Sequence, residues 1–199
     1  MKSTIIIFFI LAFTTYSCNE TIEYKYLDKG QPVDCSEINS KLMHEALYSF
    51  EVDIAKKYNF KNYSPTENLY IKNGYANFIY RGAKGVADFK EIASPHTLKI
   101  FKELLKEKDL WLTDSDNSNL NYKHPFVICL LSNIKNSDIK ATLLNLNEAN
   151  SLDPALIADL LRKNIRDADT DKYFAMYIAL DMYYQNLINV DFLEATTNE

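Results

Sequence analysis

From Ser36 onwards apolar residues recur with the period of an α-helix, and little in the chain interrupts that rhythm. Met43, Ala46, Leu47, Phe50, Ile54 and Tyr58 fall at i, i+3, i+4, i+7, i+11 and i+15, which places them on one helical face. Ser64-Pro65, Ser94-Pro95 and Asp153-Pro154 each read as a capping residue followed by proline at the first helical position. Proline fits there because that N–H has no intrahelical partner. The stripes that follow are Ile71/Tyr75/Phe78/Ile79, Leu98/Phe101/Leu104/Leu105 and Leu156/Ile157/Leu160/Leu161. Gly82 is placed to end the first of these in a left-handed cap.

Further along, Pro125 opens the run Phe126 to Ile134, which is almost wholly apolar; a buried strand competes with a helix there, since a short apolar run does not fix its own period. Asn136 or Ser137 caps a segment carrying Ile139, Leu143 and Leu146. Thr170 or Asp171 caps the last strong helix, with Tyr173, Met176, Tyr177, Leu180, Tyr184 and Leu187 at helical spacing. Asp34 or Ser36 is expected to cap the first helix. Only four Gly and five Pro punctuate the chain, and no hairpin turn separates two alternating runs. The expected fold is all-α: a single globular domain of about six or seven helices over residues 35–188. Stacked helical hairpins are one arrangement open to it, although no repeat of about 34 or 40 residues shows in residue identity.

The first 18 residues have a different character. Met1-Lys2 supplies a small positive start, Ile5 to Phe13 an apolar stretch too short to span a bilayer, and Thr15-Tyr16-Ser17-Cys18 follows. This resembles a bacterial lipoprotein precursor, whose lipobox ends in small residues and a Cys. Ser17 and Cys18 match the pattern, while Thr15 stands where Leu is usual and Tyr16 where a small residue is usual. The resemblance implies that residues 1–17 are a signal peptide and that Cys18 becomes the lipidated first residue. It further implies membrane attachment and a location in the bacterial cell envelope. Thr15 and Ser17 also suit an ordinary secretory cleavage. Residues 18–34 then read as a flexible tether with Gly30 and Pro32, although Tyr24, Tyr26 and Leu27 offer groups that could dock on the domain. Residues 189–199 lose the helical pattern and read as a frayed or disordered tail.

The three cysteines fit this scheme. With Cys18 set aside for lipid, Cys35 and Cys129 remain as a potential disulfide pair. Their bond would close a loop of roughly 95 residues, worth ~4–5 kcal/mol on the chain-entropy account. The competing reading leaves Cys129 as a buried thiol within its apolar run. The formal net charge is −5 and the basic residues are interspersed with acids, so the chain offers no surface for neutralising a nucleic-acid backbone.

Chemistry-bearing motifs are few. His44, His96 and His124 have no second His or Cys at helical spacing, so the expectation is surface or capping roles and no metal or cofactor. Asp114-Ser-Asp-Asn-Ser-Asn119 opens like a calcium loop but places Asn119 at the glycine position and Pro125 at the position of the bidentate Glu. Asp167, Asp169 and Asp171 alternate in the same way at a helix start, where carboxylates complement the dipole. Arg81-Gly-Ala-Lys-Gly85 follows a helix and lacks phosphate-loop spacing, which makes it a helix terminus.

Tyrosine is frequent, at 14 residues. Tyr183 and Tyr184 are adjacent and therefore point about 100° apart on a helix. With Phe174 they form a candidate partner surface; a broad core face is the competing reading. The sequence therefore leads to a lipid-anchored, non-enzymatic helical module that binds a protein partner, with an immunity or inhibitor lipoprotein as a specific form. The alternative is an envelope hydrolase in which Glu45, Asp53 or Asp88 meets a His.

Overall fold

The computed structural model describes residues 22–36, 38–62, 64, 68–112 and 118–192. Residues 1–17, read above as a signal peptide, Cys18, Pro65 and residues 193–199 lie outside the described residues, as do 113–117 of the calcium-like stretch. Among the described residues there are seven helices of seven residues or more. They are α1 (Ser40–Lys57), α2 (Asn68–Ala83), α4 (Pro95–Leu104), α5 (Pro125–Asn133), α6 (Ser137–Glu148), α7 (Pro154–Lys163) and α9 (Lys172–Ile178). Two single turns, α3 (Phe89–Ile92) and α8 (Ile165–Ala168), join them. The domain is all-α; its only extended pairing among the described residues is an isolated antiparallel bridge between Trp111 and Leu120. No described helix is long and apolar enough to cross a membrane.

Local chemistry accounts for the helix starts. Ser94, His124 and Asp153 accept backbone N–H bonds at the starts of α4, α5 and α7, each just before a proline. Asn136 caps α6 and Asp171 caps α9. The run after Pro125 is helical, because it packs between α6 and α9 without any sheet to join. Two termini differ from expectation. The first helix is capped by Asn39, not by Asp34 or Ser36. The second helix passes through Gly82 and ends at Ala83; the left-handed residue is Gly85 (φ 66°), with Val86 N–H reaching back to Arg81 O at 3.0 Å.

α1 packs against α2 and α4, while α2 continues to α7 and α8; α5 packs against α6 and α9. Both groups meet on the C-terminal rod. α9 runs without a break into a π-helical segment, Ala179–Tyr184, and then into α10 (Gln185–Leu187). Every residue from Phe174 to Gln185 is buried, so this rod is enclosed on all sides. The chain does not fray at residue 189: Asn189 and Val190 donate to Asn186 O and Leu187 O, and Phe192 packs against the core.

Residues 22–34, expected as a flexible tether, instead lie on the domain as a strap. Lys25 and Tyr26 donate their backbone N–H groups to the Glu45 carboxylate at 2.7 and 3.1 Å. Tyr48 donates to Gly30 O at 2.8 Å, Asp34 N–H reaches the Tyr173 hydroxyl at 3.2 Å, and Pro32 and Val33 are buried. The strap was illegible as structure because it has no period: its partners are single groups on α1 and α9. It ends at a disulfide between Cys35 and Cys129, which ties it to α5 (Cα–Cα 6.1 Å).

Candidate functional site

The candidate partner surface is withdrawn. Phe174, Tyr183 and Tyr184 are all fully buried. The rod has neighbours on every side, so two adjacent tyrosines find separate interiors. Tyr183 packs against Phe50, Phe78 and Phe89 and donates its hydroxyl to Asp53 Oδ2 at 2.9 Å. Tyr184 stacks on Phe101 and donates to Ala46 O at 2.9 Å. The exposed large apolar side chains lie elsewhere; Leu105 and Leu112 share one groove with the half-buried Trp111.

Two polar constellations remain. The first follows one line of α1, where Glu45, Ser49 and Asp53 are spaced four apart and all are buried. Glu45 faces His96, with Nε2 2.6 Å from Oε1. Ser49 meets Thr97 at 2.5 Å, and Thr97 donates to Asp53 Oδ2 at 2.5 Å, an oxygen that also accepts from Ser94 N–H. Burial pushes the Asp53 carboxyl above its usual range, and the hydrogen bonds from Thr97, Ser94 and Tyr183 partly oppose that. Of the three acids considered, only Glu45 meets a His. Asp88 caps α3, accepting from Glu91 N–H.

The histidines are less superficial than their sequence context implied. His96 is paired as above and its side chain is 12% exposed. His44 is buried under the strap with Nδ1 3.3 Å from Gln31 Oε1. Both were expected in surface or capping roles; instead the strap packs over them, with Tyr26 against His96 and Gln31 against His44. His124 caps α5 as a helix-start residue should, accepting from Phe126 N–H at 3.1 Å.

The second constellation surrounds Asp181 on the π segment. Asp181 Oδ1 accepts from the Tyr122 hydroxyl at 2.5 Å and from Gln185 Nε2 at 3.3 Å. Gln185 Oε1 in turn accepts from Ser118 Oγ at 2.7 Å. Burial, with a smaller contribution from Asp153, raises the Asp181 carboxyl to about 7 against the hydrogen bonds from Tyr122 and Gln185. Asp181 Oδ2 and the Tyr177 hydroxyl are both buried without a hydrogen-bond partner. A π segment here is notable because such insertions concentrate at functional sites. Sequence reasoning missed this group; Asp181 inside an apolar helix was the one available signal.

Other motifs resolve into structural roles. Asp171 accepts from Tyr173 and Phe174 N–H at its helix start and from Lys135 N–H at 2.6 Å. Asp167 accepts from Asn136 Nδ2, and Asp169 pairs with Lys72 at 3.6 Å. Lys84 bonds Tyr80 and Arg81 lies over the Tyr58 ring, so the cations of the glycine-rich stretch are spent locally. Among the described residues no three His, Cys, Asp or Glu side chains converge on a metal position. No family model, curated protein or solved structure matches the chain.

Proposed function

We propose that this chain is an exported bacterial lipoprotein, attached to a membrane through Cys18, whose helical domain acts by binding a protein partner. The observation that carries the reading is the partition of the three cysteines. Cys35 and Cys129 take each other, leaving Cys18 as the odd thiol, and it stands at the end of an apolar leader. Disulfides persist in oxidising compartments, which agrees with export. The net charge of −5 favours a partner with a basic surface, and a toxin-neutralising immunity or inhibitor protein is one form of that activity.

The hydrolase alternative has the Glu45–His96 pair in its favour. Against it, Glu45 is fully enclosed and both its oxygens are engaged, by His96 and by the strap N–H groups. A general base must reach a substrate proton, and this carboxylate reaches only its own chain.

Expression in a bacterial host with Cys18→Ser tests the address. The native chain is expected to fractionate with membranes and to carry the mass of a lipid-modified, cleaved protein; the variant should lose both. Equal mass and equal membrane association for the two would refute the lipoprotein reading. Partner binding is tested by cross-linking on intact membranes, where captured protein should fall away as salt rises.

A further inference from the structure

The strap decides how far the domain stands from whatever holds its N-terminus. Ile22 packs against the core, and the Cys35–Cys129 bond fixes the other end. Between them, Lys25 and Tyr26 N–H groups end on Glu45, the Tyr48 hydroxyl ends on Gly30 O, and Pro32 and Val33 are buried. The Lys29 ammonium lies over the Tyr26 and Tyr48 rings, 4.9 and 4.6 Å from their centroids. Docked in this way, the strap adds nothing to the reach of a tether.

The reach that remains is short. Cys18 and Ile22 are four Cα steps apart, and four steps span at most ~14 Å whatever path the chain takes. With the strap free, the count would run to Cys35, and seventeen steps reach ~60 Å. The ~14 Å left by docking is close to the ~10–12 Å diameter of one helix, so no further folded layer fits between Ile22 and position 18.

The edge brought forward runs beside α1 and the start of α4. Tyr26 packs against His96 with ring centroids 6.0 Å apart, and His96 in turn meets Glu45. Leu27 stands on this edge as an exposed large apolar side chain, in a turn closed by Lys29 N–H on Tyr26 O. Glu23 and Asp28 offset Lys25 and Lys29, so residues 22–29 carry no net charge to draw them to an anionic surface. What holds this edge near a membrane is length alone.

Resting on the reading of Cys18 as the lipid-bearing residue, we propose that the strap holds the helical domain against the bilayer that carries its own anchor, with Ile22 to Leu27 facing the headgroups. A protein partner then meets the domain at the membrane surface and not ~60 Å above it.

The test places the isotope-labelled, lipid-modified chain, extracted from bacterial membranes, in phosphatidylcholine nanodiscs doped with a gadolinium-chelating lipid headgroup. NMR amide signals of Ile22, Lys25 and Tyr26 are expected to broaden, equally at low and high salt. A second chain carries a Gly-Ser insertion of about twelve residues after Asn19, which adds a mean span of ~20 Å and leaves every strap contact from Ile22 onwards in place. Its signals should lose the broadening, with amide exchange at Lys25 and Tyr26 slow in both chains because both straps stay docked. Mass spectrometry separates the two ways to fail. A chain without lipid at Cys18 overturns the address, and this proposal with it. A lipid-modified chain overturns this proposal alone if its strap signals stay sharp, if Lys25 and Tyr26 exchange fast, if the insertion leaves the broadening unchanged, or if salt removes it.

Discussion

Glu45 Oε1 and His96 Nε2 lie 2.6 Å apart, and the same carboxylate accepts the backbone N–H groups of Lys25 and Tyr26. One enclosed acid therefore joins α1, α4 and the strap. Glu45→Ala should cost roughly 2–4 kcal/mol of stability in urea unfolding, because it removes the partner of a partly buried imidazole and of two amides. Hydrogen exchange at Lys25 and Tyr26 should rise in step. A loss under ~0.5 kcal/mol would mean the strap is held by its other contacts.

The Cys35–Cys129 bond spans 94 positions of sequence. Closing a loop of that length restricts the unfolded chain, so Cys129→Ser is expected to lower stability by ~3–5 kcal/mol. Thermal melts of the native chain with and without a thiol reductant should show the same drop, and the variant should be indifferent to reductant. Overlapping melts for all four samples would count against it.

Asp181 gives a pH signature. Its folded-state carboxyl titrates at about 7, above the ordinary carboxylate value, so the folded protein holds this proton more tightly than the unfolded chain. Its contribution is complete below the unfolded value near ~3.9 and is lost as pH climbs through about 7. The span corresponds to ~4 kcal/mol at most. Asp181→Asn should flatten that fall and be the more stable protein at pH 8; Asp53, also held high by burial, keeps a residual slope. Parallel stability–pH curves for the two proteins would remove Asp181 from the account.

Gly74 lets α2 approach α1 closely. A β-carbon there would sit 2.9 Å from Ala55 N and 3.0 Å from Ala55 Cα, both backbone atoms that cannot turn aside. Alanine is the better helix former by about 1 kcal/mol, but overpacking should outweigh it. Gly74→Ala is expected to be destabilising by ~1–3 kcal/mol, read from its urea midpoint; a stabilised variant would show that the helices can part.

The features legible in the sequence were those set by short-range chemistry. Ser94-Pro95 and Asp153-Pro154 marked α4 and α7 because capping and proline geometry are decided within a turn. Met43 through Tyr58 announced α1 because its period is local. The polar sites escaped because they are built from distant residues: Tyr122 meets Asp181 across 59 positions and Glu45 meets His96 across 51. Glu45 was named as an acid that could meet a His, but which His depended on how α4 lies across α1. For Tyr183 and Tyr184 the broad core face, and not the partner surface, is the reading the structure bears out; helical phase shows direction without showing what stands there. On a rod enclosed from every side, every direction is interior.

The strap and its disulfide also set a path for mechanical load. A pull on the N-terminus first meets single hydrogen bonds at Lys25, Tyr26 and Gly30, which open one after another like a peeled strip. At Cys35 the pull passes through a covalent bond into α5 and reaches the enclosed rod that α5 packs against. Peeling the strap loads α1 through Glu45 and Tyr48, but tension that has reached Cys35 bypasses α1, so the helix carrying Glu45, Ser49 and Asp53 is relieved once the strap has paid out.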